Sequence, residues 1–466
     1  MKSVSRRERT AATLGCPCLE FIRVHPCHPW LIPVSFISRS RMARILLATF
    51  GSLGDLHPML ALAQELRRRG HRAEIATSEF YREKISGLGF VFHPLSPNFT
   101  LNDESEVRRF MEGRHGPKRL LVEMIFPAMR AMHAELNAIA AGADLIVATE
   151  LVYAAPLAAR RTGARWVSCA LAPIWFMSAV DPSLLAGRGP GAWLRLLSPP
   201  VVRAVHLFAR AVTHSWWRPL RDVHRELGLP SGANPFFEGK HSPCLNLALF
   251  SPALQSPQPD WPAHTVQCGF PFYDEGYTAD GQSTPSERAL PPHVENFLAG
   301  GEPPIVFTLG SAAVFAAGNF YAESARASQL LGRRALLLLG KNSPPPELPP
   351  TILAWDYLPY AQIFPRAAAI IHQGGIGTTA QALRAGRPML VVPFAFDQFD
   401  NAARVTRLGV ARTISRAAYN GESAARALAA LLNDPQAATR AANLGAHVRA
   451  ERGAEVAADA IEQTLR

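Results

Sequence analysis

No long apolar run, no cysteine framework and no block of like charge occurs in the 466 residues. The longest strongly apolar uncharged stretch, Trp166–Val180, has 15 residues with Pro173 inside it, short of the roughly 20 that a membrane-spanning helix needs. The six cysteines (Cys16, Cys18, Cys27, Cys169, Cys244 and Cys268) show neither CxxC spacing nor a pairing pattern. That excludes a zinc ribbon and a disulfide-built fold, and fits a reducing, cytoplasmic setting. The net charge is +11, yet no run of five like charges marks a nucleic-acid arm.

What is present is ordinary globular sequence: 48% hydrophobic and 18% charged residues, in a chain long enough for two or three domains. Residues 1–41 are the exception. They carry a net +5, leaving +6 for the rest, and mix Arg, Cys, Pro and His without period. Their composition matches neither a secretory signal nor a transit peptide. They read as a leader that is disordered or lies upstream of the functional start at Met42. A metal tract at His25, Cys27 and His28 is the alternative.

From Met42 a compact grammar begins. Ala43–Phe50 is a nearly continuous apolar run, as a strand buried on both faces requires. A glycine-bearing turn follows, Gly51-Ser52-Leu53-Gly54-Asp55, then a helix from about Pro58 that ends in Arg67-Arg68-Arg69-Gly70, a basic last turn before a glycine stop. Arg72–Thr77, Leu145–Thr149 and Trp166–Leu171 read as further strands. The pattern restarts near residue 303, with strands at Ile305–Leu309, Ala335–Leu339, Ile352–Trp355, Ala368–His372 and Met389–Pro393. Alternating strands and helices predict two doubly wound parallel sheets of the α/β class. A proline-rich tract lies between the halves. The expected layout is an N-terminal acceptor-binding domain over 42–270, a linker over 271–302 and a C-terminal domain with terminal helices over 303–466. Open parallel sheets bind ligands at the carboxyl ends of their strands, so a cleft is expected there.

The most informative segment is Trp355–Asn401. Strand Ala368–His372 runs into Gln373-Gly374-Gly375-Ile376-Gly377-Thr378-Thr379 and then a helix. Glycines at such a junction let amides approach an anion, and the helix start adds partial positive charge. His372, Thr378 and Thr379 can donate to phosphate oxygens. Asp397 and Gln398, side by side after another strand, suit a polyhydroxylated ligand. A phosphate site beside a polyol site is what a nucleotide-sugar needs.

This stretch resembles the donor-binding signature of GT-B glycosyltransferases of the UDP-glycosyltransferase superfamily, in their bacterial sterol-, macrolide- and rhamnosyltransferase branch. VFTLGS (Val306–Ser311), DWP (Asp260–Pro262), GFPFYD (Gly269–Asp274) and DQFDNAARVTRLG (Asp397–Gly409) resemble in particular the rhamnosyltransferases that build rhamnolipids. The resemblance spans about residues 42–455. It implies that Tyr357 stacks on the nucleotide base, with Leu358 offering backbone contacts. Ser311, His372, Gly374, Gly375, Gly377 and Thr378 would cradle the diphosphate, and Asp397 and Gln398 would hold the sugar. The chain departs from the family pattern at Gln373, where many relatives have a second histidine. It departs again at Ala380, where plant members have a ribose-binding glutamate for which Gln381 is the candidate substitute, and at Tyr360, where a glutamine is common. Taken singly, Tyr357 also reads as a core or surface aromatic, His372 as a strand-end histidine and Asp397 as a cap for a helix beginning near Asp400.

Gly51–Pro58 lacks the third glycine of a dinucleotide fingerprint. In the resembling family the equivalent GxxGDxxP loop carries the catalytic base, which is Asp55 here. An ordinary carboxyl, with a pKa near ~4, is ionised at neutral pH and ready to accept a proton. The alternative for Asp55 is a helix cap, although Pro58 at the first helical position makes His57 the cap. His57 is also a second choice for the base. Glu150, at the end of Leu145–Thr149 and pointing to the cleft edge, reads as an ordinary surface glutamate, with orienting the acceptor as the alternative.

The expected activity is inverting transfer from a UDP- or dTDP-sugar to a hydroxyl of a lipophilic small molecule. No further cofactor is called for, and the lack of any Asp-x-Asp triplet leaves metal bridging without sequence support. A nucleotide-sugar epimerase and a non-catalytic nucleotide-sugar-binding protein stay open as alternatives. The tract Gly191–Arg221 interleaves Arg195, Arg203, Arg210, Arg218 and Arg221 with apolar residues. It reads either as a basic amphipathic segment touching a membrane or lipid acceptor, or as a helix packed into its domain.

Overall fold

The computed structural model describes residues 42–98, 104–111, 115–184, 192–228, 234, 237, 239–274 and 290–466. The leader 1–41, with its metal-tract residues and Cys16, Cys18 and Cys27, and the linker residues 275–289 lie outside them.

The described chain builds two parallel sheets. The first joins β1 (Arg44–Ala48), β2 (Arg72–Thr77), β3 (Val91–Pro94), β4 (Leu145–Thr149), β5 (Arg165–Ala170), β6 (Asn246–Ala248) and β7 (Thr265–Gln267) in the order β3-β2-β1-β4-β5-β6-β7. The second joins β8 (Ile305–Thr308), β9 (Ala335–Leu338), β10 (Ile352–Trp355), β11 (Ala369–His372), β12 (Met389–Val391) and β13 (Ala411–Thr413) in the order β10-β9-β8-β11-β12-β13. Each sheet reverses its winding beside its first strand, between β1 and β4 and between β8 and β11. Crevices form at such switch points. The central strands are apolar because helices cover both faces: every residue of β4, β8, β9 and β11 is buried.

Four helices place the site: α1 (Leu53–Arg68), α2 (Ile376–Ala385), α3 (Gln398–Arg407) and α4 (Gly453–Leu465). The start of α1 corrects the expected boundary. The helix begins at Leu53 with Ser52 as N-cap, and Pro58 lies inside it. The reciprocal Ser52–Asp55 capping box outweighs the preference of proline for the first position.

The last helix does not stay with the second sheet. Ala457, Ala458, Ala460 and Ile461 of α4 pack into the core beneath α1, with Leu56 and Leu60. Arg69 Nη1 reaches Glu462 at 3.0 Å, and His71 Nε2 lies 3.1 Å from Glu462. The terminal helix thus ties the end of the chain to the first lobe. Within the expected linker, Pro292–Ala299 is helical, and its Val294 and Leu298 are buried in the second core.

In the basic tract, Pro199–Val212 is a helix with Val202 buried, while Leu207, Phe208 and Val212 are exposed. Its apolar stripe therefore is not packed into the domain. Among the described residues no helix is long and apolar enough to cross a membrane, and Cys169, Cys244 and Cys268 are free thiols.

Candidate active site

A cavity of about 820 Å³ lies between the carboxyl ends of the two sheets. That falls within the 300–1,000 Å³ range of small-molecule sites. The two lobes meet at its floor, where a Cβ placed on Gly377 would lie 3.4 Å from the Cα of Gly54. The glycine turns of the two sheets therefore pass close enough that a methyl group added at Gly377 would just reach Gly54.

The first lobe presents Asp55 to the cavity. Its Oδ2 accepts from the Ser52 amide at 2.7 Å and from Ser52 Oγ at 3.2 Å, and Ser52 Oγ accepts from the Gly54 amide at 3.2 Å. The carboxylate is therefore half of the capping box, and Oδ1 remains for another partner. Gly51, at φ +140°, is obligatory because a Cβ there would lie 2.3 Å from Asp55 Oδ2. Burial pushes the Asp55 carboxyl up to about 6, against the hydrogen bonds from Ser52. It is a better-matched base near neutrality than an ordinary aspartate. His57 also lines the cavity, with its ring 5.0 Å from that of Tyr273.

Glu150 is not an ordinary surface residue. It is half-buried at the end of β4, and its Oε1 accepts from the Leu171 amide at 2.5 Å. Burial, with the Asp55 charge adding, pushes its carboxyl up to about 8.

The second lobe presents an uncapped helix start. Gly375 is the N-cap of α2 and offers no side chain to its amides. Gly374, at φ +88°, cannot carry a Cβ, which would lie 2.9 Å from Val391 Cγ1 and 3.0 Å from the Gln398 carbonyl. Ser311, Gln373, Gly375, Gly377, Thr378 and Gln381 line the cavity. His372 and Gly374 are not on its wall. His372 is fully buried, and its Nδ1 accepts from the Gly374 amide at 3.0 Å. That hydrogen bond leaves the ring proton on Nε2, which has no partner within the protein. Burial holds the ring neutral, with its pKa lowered to about 3. Thr379 Oγ1 and Gln373 Oε1 in the same turn also lack partners.

Tyr357 stands on the wall, 51% exposed, whereas Leu358 turns into the core. Tyr360, a departure from the family pattern, also reaches the wall. Its ring stacks on Phe364 at 4.4 Å, and its hydroxyl is 2.7 Å from Thr308 Oγ1.

Asp397 and Gln398 both reach the cavity. Phe396 before them holds φ +56°, a left-handed conformation that bulky residues rarely adopt outside strained functional sites. Gln398 Oε1 accepts from the amides of Phe394 (2.8 Å) and Ala395 (3.0 Å), which leaves its Nε2 to offer a ligand. Asp397 occupies the N-cap position of α3, yet its side chain makes no capping bond. The cap reading is therefore excluded, and the helix starts two residues earlier than expected. Burial pushes Asp397 up to about 7, with Asp55 and Asp400 adding and an Asn401 hydrogen bond opposing.

The sequence overlooked Asn401 and the wall positions Phe396 and Thr308. The four-residue spacing from Asp397 to Asn401, one helical turn, was the available signal.

The chain matches two family models: the Glycosyltransferase family 28 N-terminal domain over residues 45–162, and the Erythromycin biosynthesis protein CIII-like C-terminal domain over residues 340–463. It is 34% identical over 441 residues to the O-mycaminosyltylonolide 6-deoxyallosyltransferase of Streptomyces fradiae, covering 90% of this chain and 97% of that protein. It is 27% identical over 455 residues to the sterol 3-beta-glucosyltransferase of Neurospora crassa, covering 91% of this chain and 27% of that longer protein. In fold it is similar to the spinosyn rhamnosyltransferase complexed with thymidine diphosphate, with a TM-score of 0.61 at 19% identity, over 90% of this chain and all of that one.

Proposed function

This enzyme belongs to the GT-B glycosyltransferase family that includes macrolide and sterol glycosyltransferases, and on that premise we propose that it transfers a sugar, with inversion, from a dTDP-sugar to a hydroxyl of a macrolide- or sterol-like acceptor. The observation that carries this reading is the close approach of the two turns. Asp55 stands on one side of a single cavity and the uncapped start of α2 on the other, with Gly54 and Gly377 so close that only a methyl group would fit between them.

In the proposed step, Asp55 Oδ1 takes the acceptor hydroxyl proton as the hydroxyl oxygen bonds to the anomeric carbon. The bond from that carbon to the diphosphate breaks, and its electron pair stays on the leaving oxygen. Charge growing there is met by the α2 amides, Ser311 and Thr378, donors already in place before reaction. Those donors support catalysis without a metal, and turnover undiminished by EDTA is the expected result. Asp55 and Asp397 both line the cavity, and Glu150 lies behind its wall at the end of β4. At pH 7 Asp55, at about 6, is mostly ionised, Asp397, at about 7, is about half ionised, and Glu150, at about 8, is mostly protonated. With Asp55 across the cavity from the start of α2, a single displacement is favoured over a two-step route through a second carboxylate nucleophile.

Among lipophilic acceptors of the rhamnolipid-precursor, sterol or polyketide type, the relatives' names favour a macrolide or sterol scaffold. Phe80, Phe110, Met111, Leu121, Leu151 and Trp175 on the cavity wall support an apolar molecule of that kind. Tyr357 and the solved dTDP-type complex support thymidine diphosphate as the leaving group.

The test is a panel of dTDP- and UDP-sugars against macrolide aglycones and sterols, reading released nucleotide and the product's anomeric proton coupling. An inverted product with dTDP release is expected. A product that retains the donor's configuration overturns the mechanism, and absence of transfer across the panel overturns the acceptor class.

A further inference from the structure

We propose that Asn401 is a positioning residue for sugar transfer, its one buried amide fastening the sugar-holding carboxylate of Asp397 to the glycine turn that takes the diphosphate. This rests on the function proposed above.

Asn401 is fully buried one turn along α3 from Asp397. Its Nδ2 donates to the Gly374 carbonyl at 2.9 Å and to Asp397 Oδ2 at 2.7 Å. An amide nitrogen carries two hydrogens, so both are used, one on each half of the donor site. The opposite assignment of the amide would set Oδ1 against two acceptors, so the nitrogen must point this way. The cost is visible at the other end, where Asn401 Oδ1 is buried without a hydrogen-bond partner. A residue that only filled space would not leave a polar atom orphaned there.

The two groups it joins are otherwise held separately. Gly374 is held by its amide's bond to His372 Nδ1 and sits too close to Val391 and Gln398 to carry a Cβ. Asp397 is not held by its own helix start, since it makes no capping bond. Asn401 therefore sets the distance between turn and carboxylate, and by taking Oδ2 it leaves Oδ1 for a sugar hydroxyl.

The charges around Asp397 make this role readable. Asp55 from α1 and Asp400 from α3 both disfavour its ionised form. Asp400 is itself met by Arg404 at 2.7 Å and by Arg195 at 2.8 Å. The Asn401 hydrogen bond acts in the opposite direction, towards the ionised form.

The experiment compares the wild-type full chain with Asn401→Leu and Asn401→Asp. It measures dTDP affinity by calorimetry, KM and kcat for dTDP-glucose from pH 6 to 9, and the Asp397 carboxyl titration by carbon-13 NMR. For Asn401→Leu, dTDP affinity stays within about threefold, while KM for the dTDP-sugar rises about tenfold to a hundredfold, the range for a lost hydrogen bond to a charged group. The Asp397 titration moves upward, and the pH at which the donor KM improves moves with it. If Asn401→Leu does not fold, Asn401→Asp carries the same test, with the smallest defect at low pH, where one carboxyl of the pair can hold a proton and donate.

Equal losses for dTDP and dTDP-sugar, or an Asp397 titration unmoved in both variants, overturn the proposal. If the wild type binds neither nucleotide, the functional reading fails by itself, and the carbon-13 titration still decides whether Asn401 controls Asp397.

Discussion

The turns after β1 and β11 are the same device put to opposite uses. Each follows a central strand at the switch point of a parallel sheet, each bears glycines, and each opens a helix. After β1, Ser52 Oγ covers the Gly54 amide in the first turn of α1, and the Asp55 carboxylate covers the amide of the cap residue Ser52. The positive end of that helix is answered by the chain's own anion. After β11, Gly375 stands at the N-cap without a side chain, and the start of α2 opens on the cavity. A helix start already answered from within has little further attraction for an anion, whereas an unanswered one is a ready anion site. The contrast divides the labour between the lobes, with a carboxylate anchored by one turn and a diphosphate received by the other.

The largest effect comes from removing the first turn's anion. Asp55→Asn keeps an oxygen that can accept from the Ser52 amide, so helix capping and dTDP affinity survive. Transfer falls by about 10²–10⁴, the usual contribution of a general base. Single-turnover kinetics beside calorimetric dTDP binding check this, and full activity in the variant breaks the assignment.

The second test makes the turns alike. At Gly375 a Cβ would meet only Gln373 Nε2, at 2.8 Å, the movable end of a side chain. Gly375→Asp installs a cap of the kind found in α1. The new carboxylate occupies and repels where the diphosphate is proposed to sit, so dTDP affinity falls by about tenfold to a hundredfold, while the melting temperature does not fall. A variant that binds dTDP normally removes the open helix start from the mechanism.

The third concerns the pH at which the first turn works. The base must be ionised, so kcat/KM declines as pH drops through the Asp55 pKa of about 6, roughly tenfold for each further unit. An unperturbed aspartate would put that limb near ~4. A limb at 4 would mean that Asp55 is more hydrated during turnover than its enclosure allows.

Both turns were legible in the sequence because glycine, a strand end and a helix start leave a local signature. Most central strands were legible too, since a strand buried on both faces is a continuous apolar run. β6, buried inside its sheet but only three residues long, was missed, and so were β3, β7 and β13. The last three lie at sheet edges, are three or four residues long and are partly exposed, so no apolar run marks them. The start of α1 was misplaced because a proline preference was weighed above the Ser52–Asp55 spacing, which itself spells a capping box. The return of α4 to the first lobe was hidden for a different reason: an alanine-rich amphipathic helix shows that it packs, but not on what. The raised pKa values of Asp55, Asp397 and Glu150 were beyond reach as well, because burial arises only when both lobes close on the same space.

The smallest expected effect sharpens the comparison by separating Asp55 from its neighbour at the end of β4. Glu150 titrates at about 8 in the fold and near ~4 when unfolded. Between those values the unfolded chain has released the proton and the folded chain has kept it, so this group's contribution to stability declines as pH rises from about 4 to 8 and is level beyond. Glu150→Gln keeps the oxygen that accepts from the Leu171 amide and cannot ionise. The variant should therefore melt with the wild type near pH 4 and progressively above it towards pH 8. Activity at pH 7 should change by less than about threefold, because the wild-type side chain is already mostly protonated there. A larger loss of transfer, with dTDP binding intact, would move proton transfer from Asp55 alone to the pair, and the two turns would no longer account for the chemistry between them.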